Sequence, residues 1–313
     1  MALHTDWRAL PEAVRGGVFA LGNFDGVHRG HAHLIQALHA ARPDLALGVV
    51  TFEPHPRALF RPEDPPFRLT PSAERAALLA GLGVRHVVEI RFDAAFAELT
   101  AAQFVDEVLH QALGARHLAC GLDFAFGHRR GGGSAFLTAR AEALGIGLSL
   151  VPALVDAQGP ISSSRVRRAL QDGYPERAAQ LLGRDWAITG VVSHGDARGR
   201  TIGFPTANIP LGGHIEPQRG VYAVTTRLAD GRVLKGVANL GRRPTVNEGP
   251  ESRLEAHFFD YDGDLYGQML AVSLHAFIRP ERKFESFQAL RDQIVADASA
   301  ARGLLDRPAP GSA

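Results

Sequence analysis

The 313-residue chain holds one cysteine, Cys120. An intramolecular disulfide is therefore impossible, and Cys120 reads as a small buried apolar residue. Lysine is nearly as scarce, found at 235 and 283 alone. The first half thus cannot contain a P-loop lysine. Phosphate contacts there fall to arginine, histidine and backbone amides. No apolar run approaches about 18 residues, so no span across a membrane is expected. The first eight residues lack the apolar stretch of a signal peptide, and a reducing cytoplasm is the expected location. A net charge of +1 argues against nucleic acid and other polyelectrolyte partners.

What is present suffices for two ordinary domains. Length allows it, and 45% hydrophobic residues is typical of core-forming chains. From 18 to about 152, short apolar runs alternate with helical patterns. The runs are 18–21, 47–52, 84–90, 117–120 and 148–151. Thr70-Pro71 opens one helix with proline in its first turn. Thr100 to Gln103 has the form of a capping box. Strands alternating with helices predict a parallel sheet covered on both faces, with ligands beyond the strand C-terminal ends.

The stretch Gly22-Asn-Phe-Asp-Gly-Val-His-Arg-Gly-His31 follows the first run and precedes Leu34, Ile35 and Leu38 at helical spacing. It reads as strand, turn, helix. A helix N-terminus attracts anions, and His28 and His31 add imidazole donors there. Gly30 lets a ligand approach the backbone. Surface histidines and a zinc site with His33 are the competing readings. Zinc is disfavoured because one cysteine and no second ligand cluster are at hand. No Gly-x-Gly-x-x-Gly follows, so a dinucleotide site is not indicated.

Three further stretches in this half carry polar chemistry. Thr51-Phe-Glu-Pro-His-Pro56 sets His55 in a rigid turn. After the fourth run, Asp123, Phe124 and Phe126 precede Arg129, Arg130 and a glycine-rich loop. Aromatic faces beside arginines suit a planar ring with a phosphate tail, although the phenylalanines also suit a core. Ile161-Ser-Ser-Ser-Arg165 begins a helix whose hydroxyls and Arg165 suit a second phosphate, or simply cap it.

Composition shifts near 183–185, giving expected domains 1–184 and 185–313. Strands are expected at 188–192, 221–227, 233–240, 254–259 and 269–278. Turn signals lie at Ala229-Asp-Gly231 and Asp262-Gly-Asp264, each read as a hairpin. Such spacing predicts a small antiparallel barrel. Phe284, Phe287, Leu290, Ile294 and Leu304 then mark an amphipathic C-terminal helix. Gly195-Asp-Ala-Arg-Gly-Arg-Thr-Ile-Gly203 resembles a phosphate loop without the Walker lysine. Phe204-Pro-Thr-Ala-Asn208 follows, with Thr206 and Asn208 two apart on one face. Oxygen donors beside a polyphosphate suit magnesium. Glu255 stands on a strand whose Leu254, Ala256 and Phe258 face the other way, where a carboxylate suits proton acceptance but, taken alone, reads more readily as a solvated strand residue.

Taken together, these motifs resemble the prokaryotic bifunctional riboflavin kinase/FMN adenylyltransferase (FAD synthetase) family, over about residues 15–300. The carriers are 22–31, 51–56, 123–131, 161–167, 199–208, 220–223, 237–245 and 254–293. The resemblance implies an α/β fold: a nucleotidylyl-transferase Rossmann-like parallel sheet, then a six-stranded riboflavin-kinase barrel with a C-terminal helix. It implies that Gly22, Asn23, Phe24, Asp25 and Gly30 bind ATP, with His28 and His31 on its phosphates. Ser164 and Arg165 would close on the same phosphates. Asp123, Phe124 and Phe126 would line the flavin. In the barrel Gly199, Arg200, Gly203, Phe204 and Pro205 would cradle ATP, Thr206 and Asn208 would hold Mg2+, and Glu255 would be the general base. ATP, riboflavin and FMN are the implied partners, with no tightly bound redox cofactor, membrane or obligate protein partner. Ser164 stands where the family often has Thr, and Ala256 where Val is common. A pantetheine- or nicotinate-type adenylyltransferase and a flavin-binding regulator are the rival readings. The Phe204-Pro-Thr-Ala-Asn208 segment argues against the first.

Overall fold

The computed structural model describes residues 1–193, 205–243 and 251–307, apart from the side chains of Arg243 and Glu251. Two compact units emerge. One comprises Met1–Pro65 with Thr70–Ser163; the other comprises Pro66–Leu69 with Ser164–Ala313.

The first unit is built on six parallel strands: β1 (Ala2–His4), β2 (Val18–Leu21), β3 (Leu47–Glu53), β4 (His86–Arg91), β5 (His117–Gly121) and β6 (Gly147–Val151). Their order is β1-β4-β3-β2-β5-β6. β2 is buried along its whole length and β3 nearly so, as expected for strands covered on both faces. One face carries helix Arg29–Ala41, whose Leu34, Ile35 and Leu38 are buried beside Val18, Ala20 and Val49. Each such side chain contributes about 1.5–3 kcal/mol. On the other face Ala101–Gln103 runs into a π-helix, Phe104–Ala112, with Phe104, Val105 and Val108 in the core. The Thr100–Gln103 capping box forms as expected. The strand order reverses between β2 and β5. A crevice therefore opens at their C-terminal ends, the usual ligand position in such sheets.

Three details depart from expectation. β1 is an additional edge strand, paired with β4. A small hairpin joins β7 (Val155–Asp156) and β8 (Gly159–Pro160). Helix Ser72–Gly81 starts one residue later than expected, with Pro71 at its N-cap. Thr70 serves elsewhere, as described below.

The second unit contains β9 (Trp186–Val191), β10 (Ala207–Pro210), β11 (Gly220–Arg227), β12 (Val233–Arg243), β13 (Glu251–Phe258) and β14 (Met269–Pro280). All pairings are antiparallel in the order β10-β13-β12-β11-β14-β9. Ser193 N donates to Asn208 O at 2.9 Å, and this bridge joins the two end strands into a barrel. Closure leaves no long open edge. The hairpin at Gly231 forms, with Gly231 at φ +89°. The Asp262-Gly-Asp264 turn is not a hairpin: it connects β13 to β14, which do not pair. Helix Phe287–Leu305 covers Val221, Ala223, Val237 and Phe259 on the barrel's outer face through Ala298, Ala301, Leu304 and Leu305. Arg279 and Asp297 pin it there with Nη2–Oδ2 at 2.7 Å. Helix Pro175–Leu182 ends at Gly183 in the left-handed conformation, φ +77°. Leu69 also belongs to this unit, its carbonyl accepting from Trp186 Nε1 at 2.8 Å.

Candidate functional site

The turn after β2 is fixed from several sides. Gly22 N donates to Val50 O at 3.2 Å. The Asn23 carbonyl accepts from Thr51 Oγ1 at 3.1 Å and Arg75 Nη1 at 3.3 Å. Arg75 is fully buried and also bonds Glu89 and Glu53. Phe24 is buried in a left-handed conformation, φ 51°, its ring 5.0 Å from that of His31. Asp25 is 1% exposed. Its carboxylate accepts from Thr70 N at 3.1 Å, and Gly26 N donates to Thr70 Oγ1 at 2.9 Å. Thr70 is thus part of this turn rather than a helix cap. Phe24 and Asp25 shape the turn from inside.

His28 is the N-cap of helix Arg29–Ala41. Its Nδ1 accepts from His31 N at 3.3 Å, and His31 Nδ1 accepts from His28 N at 3.2 Å. Two histidines thus form a capping box, a role usually filled by Ser/Thr with Glu/Gln. The rings stack, centroids 3.6 Å apart. An accepting Nδ1 places the proton of each neutral ring on Nε2. Each imidazole is held as an Nε2–H donor at the helix N-terminus, where the backbone dipole favours anions. A Cβ on Gly30 would lie 3.1 Å from the His28 ring and 3.2 Å from the Ile161 carbonyl, so glycine makes room for the protein's own groups. His55 Nδ1 accepts from Arg57 N at 3.1 Å and caps Pro56–Phe60.

Helix Ser163–Gln171 carries Ser164 and Arg165 in its first turn. Ser163 Oγ donates to the Asp25 carbonyl at 2.8 Å. Beyond β5, the loop bears an exposed Asp123 and a half-buried Phe124 stacked on Phe126, centroids 5.4 Å apart. Phe126 belongs to the core and meets Phe104 and Phe136. Burial, helped by Asp123, pushes the Cys120 thiol up to about 12, so it stays protonated and inert.

In the barrel, Gly199, Arg200, Gly203 and Phe204 lie outside the described residues. Pro205 is exposed, and its carbonyl lies 2.9 Å from His257 Nδ1. Thr206 is half-buried, and its carbonyl accepts from Asn208 Nδ2 at 3.3 Å. Asn208 is 2% exposed, yet its Oδ1 has no hydrogen-bond partner among the described residues. Asn208 pairs in register with Glu255, and Glu255 with Asn239. The three stand in one row on the outer face, with Glu255 half-buried in the middle. A Cβ on Gly241 would meet Glu281 Oε1 at 2.4 Å and Asn239 Nδ2 at 3.2 Å, which brings Glu281 beside the row. Burial pushes the nearby Glu216 carboxyl up, but hydrogen bonds from Ser252 and Arg219 outweigh it and hold it below its ordinary value. Glu216 also meets Arg242, the cross-strand partner of Ser252, and so braces the far ends of β12 and β13.

Arg75, Asn239 and Glu281 were not singled out from sequence, and Thr70 was read only as the opening of a helix. Each acts through tertiary contact, and no local pattern marks such residues. Among the described residues no group of three or more His/Cys/Asp/Glu has the form of a metal site.

Comparison with known proteins gives the following. A family model described as FAD synthetase matches residues 10–165, and one described as riboflavin kinase matches 182–305. The chain is 43% identical over 298 residues to the bifunctional riboflavin kinase/FMN adenylyltransferase of Escherichia coli, covering 94% of this chain and 95% of that one. It is 39% identical to the protein of that description in Bacillus subtilis, covering 92% of each. A crystal structure from Streptococcus pneumoniae described as a macrolide-efflux protein superposes with a TM-score of 0.86 at 33% identity, covering 96% of this chain and 98% of that one. No described helix of the present chain is long and apolar enough to cross a membrane.

Proposed function

The chain belongs to the family of bifunctional riboflavin kinase/FMN adenylyltransferases, and from that membership we propose how its residues divide the work. The enzyme phosphorylates riboflavin to FMN and adenylylates FMN to FAD, using ATP in both steps. We assign residues 1–184 to the adenylyl transfer and 185–313 to the kinase, a division supported by the ends of the two family matches. ATP consumption in both steps supports a cytoplasmic location.

For the kinase, Glu255 accepts the proton of the ribityl 5′-hydroxyl. The freed oxygen attacks the γ-phosphorus of ATP and ADP leaves. Little covalent help is needed; positioning and charge neutralisation supply most of the rate. The observation that carries this assignment is the pairing of Glu255 with Asn208, whose buried side-chain Oδ1 lacks a partner among the described residues. An orphaned buried acceptor costs stability, about 1–3 kcal/mol. A ligand that satisfies it repays that cost. Thr206 and Asn208 are neutral oxygen donors, and they fit Mg2+ carried in with ATP. The metal, when bound, would neutralise polyphosphate charge. Gly199, Arg200, Gly203, Phe204 and Pro205 are assigned to the ATP cradle on motif alone.

For the adenylyltransferase, an oxygen of the FMN phosphate attacks the α-phosphorus of ATP and pyrophosphate leaves. That nucleophile is already anionic and needs no base. The Nε2–H groups of His28 and His31 stabilise charge on the ATP phosphates; Ser164 and Arg165 are assigned to ATP on motif alone. Gly22, Asn23 and Gly30 supply backbone contacts, and Phe24 and Asp25 hold them in place. Asp123, Phe124 and Phe126 receive the flavin. The test is chromatography of products from riboflavin and MgATP. FMN should appear first and FAD second. If FMN plus ATP gave neither FAD nor pyrophosphate, the adenylyltransferase assignment would fall.

A further inference from the structure

FMN and riboflavin share the isoalloxazine ring and the ribityl chain. They differ where one ends in a phosphate and the other in a neutral hydroxyl. A phenylalanine floor contacts the shared ring and cannot tell them apart. The adenylyltransferase half must nevertheless use FMN, in a protein that also binds riboflavin. That discrimination calls for fixed cations at the phosphate end, and this half contains no lysine.

We propose that Arg129 and Arg130 are the specificity residues that select FMN over riboflavin, by binding the phosphate at the end of the ribityl chain. The inference rests on the assignment of the flavin to Phe124 and Phe126. Four observations support it. First, the two arginines follow the aromatic pair in the loop after β5, at the crevice where the strand order reverses. Second, the loop is rigidly held. Phe126 and Gly132 exchange backbone hydrogen bonds at 3.0 and 2.9 Å across its base. His128 N donates to Leu99 O at 2.7 Å, and His128 Nδ1 lies 3.2 Å from Glu98 Oε2. A Cβ on Gly127 or Gly132 would collide with Ala101 at 2.6–2.7 Å, so the backbone sits directly on the scaffold.

Third, both arginines are exposed and neither meets a carboxylate among the described residues. Arg140, Arg57 and Arg75 of this half are taken up by Asp106, Asp64 and Glu89, whereas Arg29, Arg61, Arg85 and Arg116 are exposed and also form no ion pair with a carboxylate among the described residues. Of these free arginines, Arg129 and Arg130 are the pair that follows the aromatic residues. Fourth, both hold left-handed backbones, φ 51° and 59°. Such residues are costly unless the surroundings impose them. Here the cost presents two adjacent guanidinium forks on a fixed tip. Planar forks suit phosphate oxygens, and they offset the repulsion between the FMN dianion and the ATP triphosphate.

The test replaces both with asparagine, which tolerates the left-handed conformation, in the full-length protein. FAD formation is followed with FMN and ATP varied. Lumiflavin, which has the ring but no ribityl chain to phosphorylate, serves as the neutral competitor. The variant should raise KM for FMN at least about tenfold, from the loss of charge-assisted hydrogen bonds. KM for ATP and the inhibition constant of lumiflavin should stay within about twofold. A lysine pair at the same positions should recover part of the loss. Unchanged KM for FMN overturns the proposal. A matching rise in KM for ATP also overturns it and assigns the pair to the triphosphate. Failure of lumiflavin to compete in the unmodified protein strikes instead at the flavin assignment of Phe124 and Phe126.

Discussion

Asn208 and Glu255 stand directly opposite each other on adjacent barrel strands, and the backbone carbonyl of Asn208 also accepts the bond that closes the barrel. The proposed metal donor and the proposed base are therefore held by one pair of strands, β10 and β13. Their separation is set by strand spacing rather than by loop conformation.

Glu255→Gln should cut the kinase rate by about 10²–10⁴ and change riboflavin affinity little. Adenylyl transfer from supplied FMN should continue. Both activities measured on one preparation decide the matter. Equal loss of both points to misfolding. Unchanged kinase activity would take the role from Glu255 and turn attention to Glu281, the carboxylate beside the same row.

Asn208→Ala separates stability from activity. It deletes an acceptor with no partner among the described residues and one long hydrogen bond to Thr206. The urea midpoint should change by less than the equivalent of about 1 kcal/mol, while kinase activity requires several-fold more magnesium. Loss of stability without a shift in the magnesium titration would show Asn208 to be a structural residue.

His31→Ala should lower FAD formation by about 10²–10³ and leave FMN formation nearly intact. It also removes half of a capping box, a loss of about 1 kcal/mol. A fall in FAD formation under about threefold would reduce His31 to a helix-capping residue.

A fragment beginning at Asp185 should phosphorylate riboflavin, since the barrel closes on itself. It should unfold at lower urea than the intact protein. Without Leu69, the Trp186 indole loses its acceptor, and an unsatisfied buried donor costs about 1–3 kcal/mol. Urea unfolding followed by Trp186 fluorescence, with Trp7 replaced by phenylalanine in the intact protein, checks this. An inactive fragment would mean that the kinase needs the earlier residues.

The parallel sheet was legible because its strands are apolar and its helices periodic. β2, read from 18 to 21, matches its range in the structure. β1 escaped notice because a three-residue strand at a sheet edge has no apolar pattern to show. β10 was read as extended without being counted as a strand. The pairing that makes it one comes from β13, distant in sequence. Turn residues at Asp262 to Asp264 mark a reversal of the chain, not which strands then pair. In the site, the place of His28 and His31 at a helix N-terminus could be read from residue type and spacing. Their mutual bonds could not, because histidine is not a customary capping residue. Arg75 shows the same limit: a charged residue in a helical pattern reads as solvated, and only the folded chain reveals it buried against Glu89 and Glu53.

The paired histidine cap has a further consequence. Each ring anchors the backbone of the other, so neither can be credited with a separate share of the rate. Removing one frees the other to rotate and to change tautomer. The two behave as a single thermodynamic unit, and their joint removal should cost much less than the sum of the two separate losses.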